Sequence, residues 1–386
     1  METIICDISA FQYWRIPPVV RLLTEAPPDD PLLLNLVDGE ELERLRAGSA
    51  GLPLARACWA SGARWRAAGP ASHEIRRVAG RLAAGLDGPI DVLVTRRTQS
   101  RRATLVRPRV WASGVPESEL RRVDDAVRVV SPAFSLLQLA ARTNLTRTVL
   151  LASELCGAFA VFVTPDCVRE VLQGLVERRR LPRIDGWSPC LDENGLITDL
   201  WSRRPLASPE ELLSLAEHAE ARNGRARLAE AARLVTPGAA SPFEVRTGVL
   251  LGFPRSRGGE GHTGFSHNRR VALTPEARRL AGRASCYCDL YWDEGVDVEC
   301  QSALAHGSAA GYLSDSDRTT ALGLMGIVVV PVTYPQITSE AHLHALSKAV
   351  SRQRGMEWRP PTDHQRALAA RLRAEVLADW GALPFV

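Results

Sequence analysis

Asp289, in the run CDLYW, and Glu299, in the run VDVEC, are the residues whose type and spacing could do chemistry. They lie ten positions apart, each within an apolar or β-branched stretch, with Asp293, Glu294 and Gly295 between them as a tight turn. A strand–turn–strand hairpin sets residues of its two strands side by side. A carboxylate inside such a strand is expensive unless its charge is used, and two together repel unless a cation lies between them. Hard divalent ions, Mg²⁺ or Mn²⁺, take carboxylate oxygens and keep several waters, and such an ion can activate a water beside a phosphodiester. Asp289 and Glu299 are therefore the expected metal ligands, with the Val298 or Cys300 carbonyl as a possible addition. Glu244, on a preceding helix, could supply a third carboxylate or hold a metal-bound water.

Around this pair stand residues open to more than one role. Asp297 shares the Glu299 face by alternation and could be the true partner. Gln301, two residues beyond Glu299, cannot act as a base near neutral pH or stabilise an anion as an ammonium does. His306 could serve as base or phosphate contact, or be a solvated loop histidine. His262 and His267, in a glycine-rich stretch, could touch substrate or belong to a loop with no fixed role. Cys286, Cys288, Cys300 and His306 could be imagined as a zinc site; buried free thiols are the plainer reading, since none of the eight cysteines forms a CxxC pair.

The chain has 386 residues, 45% hydrophobic and 24% charged, which places it among globular proteins of two or three domains. Net charge is a mild +4, and a single lysine, Lys348, stands among 48 basic residues. Arginine stays charged and grips phosphate with parallel donors. Six arginines, Arg96, Arg97, Arg101, Arg102, Arg107 and Arg109, crowd fourteen positions between two expected strands. Arg96, Arg97, Arg101 and Arg102 are the expected contacts to a DNA backbone, against the alternative of a solvated face. With no basic-then-apolar leader and no apolar run long enough to span a bilayer, a cytoplasmic protein without membrane contact is expected.

The pattern predicts an α/β (α+β) chain of several domains. Residues 1–143 mix helices with strands at Ile90–Thr95, Val106–Trp111 and Ala126–Val130; Ser131-Pro132 then opens a helix. Residues 144–240 read as helical, with starts at Asn144, Pro165, Ser208-Pro209 and Arg225. Thr236–Ala240 marks a break. Residues 241–352 begin with the capped start Ser241-Pro242-Phe243-Glu244. A loop over Pro254–Asn268, strands at Cys286–Trp292 and Val296–Gln301, a helix at Ser314–Leu324, a strand at Ile327–Thr333 and a helix at Ser339–Arg352 follow. Pro331 in the last strand calls for a bulge or an edge position. Residues 353–386 form a helical tail.

The pieces SPFE at 241–244, DLYW at 289–292, VDVECQS at 296–302 and DSDRTTALGLMGIVVVPVT at 315–333 resemble, in order and spacing, the PD-(D/E)xK nuclease superfamily. They are nearest the branch related to very-short-patch repair endonucleases, whose D-x-x-R-x-x-x-L-x-x-x-G segment meets Asp315, Arg318, Leu322 and Gly326. The resemblance implies a restriction-endonuclease-like domain at 241–352, a mixed sheet flanked by helices. It also implies Mg²⁺-dependent DNA cleavage through Glu244, Asp289, Glu299 and the residue at Gln301, where the superfamily usually has lysine and this branch often aspartate. Residues 8–140 resemble the C-terminal part of the type IV antitoxin of abortive-infection toxin–antitoxin systems, without the winged helix that usually begins such proteins. That resemblance implies DNA and a cognate toxin as partners. The competing expectation is a non-catalytic, antitoxin-like regulator with a degenerate nuclease fold.

Overall fold

The computed structural model describes residues 2–25, 30–60, 70–99, 104–219, 223–301 and 309–385. It is mixed α/β. Twelve strands are described: β1 (Thr3–Ile5), β2 (Ile90–Val94), β3 (Val106–Val110), β4 (Leu120–Arg122), β5 (Val127–Val130), β6 (Phe159–Val161), β7 (Ser188–Leu191), β8 (Ile197–Ser202), β9 (Ser266–Ala272), β10 (Ser285–Trp292), β11 (Val296–Gln301) and β12 (Val328–Thr333). They form sheets of order β3-β2-β1-β5-β4, β6-β8-β7 and β12-β11-β10-β9.

Helix starts follow local chemistry. Ser131 accepts from the Phe134 amide before the Pro132–Ala140 helix, Asn144 from Arg147 before Leu145–Cys156, and Ser241 from Glu244 before Pro242–Gly252. Ser208 and Glu211 close a reciprocal box at the Pro209–His218 helix. Each cap satisfies an amide the first turn leaves without a partner.

Two stretches differ from expectation. The segment read as helical contains the β6-β8-β7 sheet, whose β7–β8 hairpin has a register shift between Pro189 and Leu191. The stretch read as a loop up to Asn268 gives way at Ser266 to β9. Both are short or largely polar strands whose pairing, not their side chains, decides their form.

One hydrophobic cluster runs from Ile5 through Leu137, Leu151 and Leu251 to Leu383. Within it, Arg15 donates to both Glu154 oxygens, from Nε at 2.8 Å and from Nη2 at 2.5 Å, and the Trp380 indole donates to Glu154 Oε2 at 2.7 Å. Arg203, also buried, gives its Nη2 to the Glu154 carbonyl at 2.7 Å. Removing one partner of such a buried pair would cost about 3–5 kcal/mol. Among the described residues no helix is long and apolar enough to cross a membrane.

The C-terminal sheet is mixed. β10 pairs antiparallel with β9 and β11, and β11 pairs parallel with β12. β12 lies at the edge, which accommodates Pro331 opposite Glu299. Leu290, Trp292, Val296 and Val298 join the main cluster with Val245, Val249 and Leu250 of the Pro242–Gly252 helix. Cys286 and Cys288 belong to a second, smaller cluster with Ala277, Ala321, Leu322 and Ile327. The sheet is thus flanked by the Pro242–Gly252 helix on one side and the Pro275–Ala281 and Ala309–Leu324 helices on the other.

Candidate active site on the C-terminal sheet

Strand alternation should send residues 286, 288, 290 and 292 to one face. Here Cys286 and Cys288 face the smaller cluster, whereas Leu290 and Trp292 face the main core. The inversion occurs at Asp289. The β9–β10 ladder runs from Ser285 opposite Ala272 to Cys288 opposite Arg269, then resumes at Leu290 opposite His267. The skipped positions are Asp289 and Asn268, and Asn268 sits at φ +49°, a left-handed conformation asparagine tolerates better than most residues. Such irregularities re-aim side chains.

Two consequences follow for the site. Asp289 turns along the sheet, and its Oδ2 accepts from the Cys300 amide at 2.8 Å. Asn268 donates from Nδ2 to Glu244 Oε2 at 2.6 Å and to the Gly238 carbonyl at 3.0 Å. Glu244 also accepts from the Ala240 amide at 2.8 Å and from Ser241 Oγ at 3.0 Å. The imidazole Nδ1 of His267 lies 3.1 Å from the Asp289 carbonyl.

Glu244, Asp289 and Glu299 come from a helix and two strands, and they feel one another's charge. Burial, then the charges of Glu244 and Glu299, push the Asp289 carboxyl up to about 9. Burial also raises Glu244, against the opposing effect of its hydrogen bonds from Ala240, Ser241 and Asn268. Asp297, 0% exposed, is pushed up to about 7 by burial and by Glu299. The Cys288 thiol and the Glu299 carboxyl lie against Asp297, and Arg318 Nη2 is 3.9 Å from its Oδ2.

Arg318, from the Ala309–Leu324 helix, is the cation of the site. Its Nη1 lies 2.6 Å from Glu299 Oε1 and its Nη2 donates to Oε2 at 2.7 Å, while Nη2 also meets the Tyr287 carbonyl. The sequence showed Arg318 only as a position in a motif; its partner on β11 is a tertiary fact. Asn268 was hidden in a polar stretch with no strand signature.

The oxygen donors suit a hard ion chemically. Their bonding does not: Glu299 is gripped on both oxygens by Arg318, and Glu244 is satisfied by three donors. Among the described residues no three His, Cys, Asp or Glu side chains form a group that could hold a metal ion.

The other expected residues fall as follows. Gln301 ends β11, two positions from Glu299. His306, Arg101 and Arg102 lie outside the described residues. Arg96 and Arg97 are exposed just after β2. Arg107 and Arg109 are engaged internally, each Nε donating to Asp91 Oδ1 at 2.6 Å. His262 is a core residue, its Nε2 3.0 Å from Ser347 Oγ, and burial lowers it to about 4; His267 is likewise lowered to about 4 by burial. Both imidazoles are therefore neutral at pH 7. Cys286 and Cys288 are buried free thiols on the face opposite Cys300. No family model, curated protein or solved structure matches this chain.

Proposed function

We propose that residues 241–352 form an endonuclease-like domain that acts on DNA phosphodiesters in a cytoplasmic defence, repair or toxin–antitoxin setting. The observation that carries this reading is the pleat inversion at Asp289, which turns its carboxyl toward Glu244 and Glu299 on two other elements. Mg²⁺ or Mn²⁺ belongs to the proposal as cofactor only in a state where Arg318 has released Glu299 and Asp289 has lost its proton, the two residues then being the ones that would hold it. When bound, such an ion would supply an activated water and neutralise phosphate charge. The protein's own groups have distinct parts. Glu244 orients the site through Asn268 and Ser241, Asp289 holds a proton at neutral pH, and Arg318 offers a fixed positive charge beside Glu299.

The second reading is a non-catalytic regulator that binds DNA or a protein such as a cognate toxin. Gln301 and the two-oxygen grip of Arg318 on Glu299 favour it. Incubation of the full chain with plasmid and single-stranded DNA, with Mg²⁺ or Mn²⁺ and then with chelator, separates the two. Metal-dependent cleavage lost in Asp289→Ala supports the enzyme; no cleavage with either ion supports the regulator.

A further inference from the structure

The edge of the C-terminal sheet carries an unusual share of the protein's charge. Residues 266–285 contain Arg269, Arg270, Arg278, Arg279 and Arg283 against one acid, Glu276, a net +4 equal to that of the whole chain. The remaining residues therefore sum to zero. All five arginines are exposed. Arg269, Arg270, Arg278 and Arg279 make no ion pair with an acid among the described residues; Arg270 Nε instead donates to Ser285 Oγ at 3.1 Å and Arg278 Nε to the Leu273 carbonyl at 2.8 Å. Some surface arginines elsewhere are paired with acids, as Arg77 with Asp124, Arg178 with Glu41 and Arg257 with Glu230, and others, such as Arg121 and Arg180, meet only backbone carbonyls among the described residues; what sets this segment apart is five arginines against a single acid.

An aromatic ring lies within this patch. Tyr287 is 55% exposed and stands directly opposite Arg270 in the β9–β10 ladder, so the two share one face. Asp289 is two residues further along β10, about 7 Å at the usual rise of a strand. Cation and exposed ring side by side are what a single strand of nucleic acid uses: the phosphate meets the guanidinium and an unpaired base lies on the ring.

We propose that the β9–β10 edge seats an unpaired nucleic-acid strand, one base stacked on Tyr287 and an adjoining phosphate on Arg270. This deepens the endonuclease-like reading by naming the strand form presented to the Asp289 site. A duplex without unpaired bases offers phosphates to the arginines but no free base face to Tyr287, and a plain polyanion offers none at all.

The test is equilibrium binding of the full chain, in EDTA so that no cleavage intervenes. The probes are a labelled single-stranded oligodeoxythymidylate, a blunt duplex and inorganic polyphosphate. The single strand should bind more tightly than the duplex. Tyr287→Ala should weaken it about tenfold, in the range of one base stack removed, and leave polyphosphate unchanged, while Tyr287→Trp should retain binding. Arg270→Ala should weaken all three and reduce the salt slope for the single strand by about 0.7, one phosphate contact. Absence of single-strand binding at low salt, equal affinity of Tyr287→Ala and wild type, or tighter binding of the duplex each overturns the proposal. Binding that behaves as expected in a chain that never cleaves with Mg²⁺ or Mn²⁺ would keep this seat and sink only the enzymatic reading.

Discussion

Arg318 holds Glu299 through two parallel contacts, 2.6 Å to Oε1 and 2.7 Å to Oε2, in the place where a metal ion would have to compete. The pair is mostly buried, at 12% and 22% side-chain exposure, so it is not a solvent-screened surface bridge. Removing the guanidinium would leave Glu299 and Asp297 close together without a counter-charge.

Arg318→Gln should therefore lower stability by roughly 3 kcal/mol. Mn²⁺ should restore part of that loss, and should raise the thermal midpoint of the variant more than that of the wild type. Calorimetric melting with and without Mn²⁺ reads both effects. An equal response of variant and wild type would mean that the arginine does not stand in for a cation.

Asp289 gives a pH signature. Its carboxyl lies at about 9 in the folded chain against an ordinary 3.8, so the folded state binds a proton that the unfolded state gives up. The stabilisation this provides is complete below about pH 4 and is lost as pH rises toward about 9. Asp289→Asn carries no charge and should escape that loss. The variant should match the wild type near pH 4 and become progressively more stable than it as pH rises to neutrality. Urea titrations across this range would show it; a constant difference between the two proteins would contradict the assignment.

Gln301→Lys should raise cleavage if the endonuclease-like reading holds. An ammonium two residues beyond Glu299 on the same strand face would add the charge that a transition-state phosphate gains most from. Plasmid nicking in Mg²⁺, compared with Gln301→Ala, is the readout. A lysine variant no faster than the alanine variant would favour the regulator.

The N-terminal arginines make a separate prediction. Changing Arg96, Arg97, Arg101 and Arg102 together to Ala should weaken DNA binding equally for all sequences. It should also make the salt dependence shallower, by about 0.9 for each duplex phosphate that is no longer neutralised. Unchanged affinity at low salt would remove this loop from the interface. Arg107 and Arg109 do not belong in that variant, because Asp91 needs them.

What was legible in the sequence was local. Serine or asparagine followed by a proline or a helical run marked the starts at Ser131, Asn144, Ser208 and Ser241, because the capping bond spans only three residues. The β10–β11 hairpin was legible from its apolar runs and its turn, and Pro331 from its missing donor. β9 was missed because an edge strand of histidine, asparagine and arginine has no apolar alternation. β7 and β8 were missed because their pairing is irregular. The site was half legible: Glu244, Asp289 and Glu299 could be named as candidates from type and order. The inversion that aims Asp289, the left-handed Asn268 that fastens Glu244, and the grip of Arg318 depend on bonds between residues 11 to 31 positions apart and leave no mark on periodicity.

The bonds that join Glu154 to Arg15 and Trp380 bear on how the chain can be made. Arg15 emerges from the ribosome long before its carboxylate, which lies 139 residues later, and Trp380 comes 226 residues after Glu154. During synthesis the first helix holds a guanidinium destined for the interior with nothing to neutralise it. The side of the apolar cluster formed by the Leu145–Cys156 and Pro242–Gly252 helices stays uncovered until the Asp363–Val376 helix and the residues after it arrive. A nascent chain stalled near residue 352 would leave bare the faces of the Leu145–Cys156 and Pro242–Gly252 helices that the last helix covers, and a chaperone that binds apolar surface during translation should dwell there.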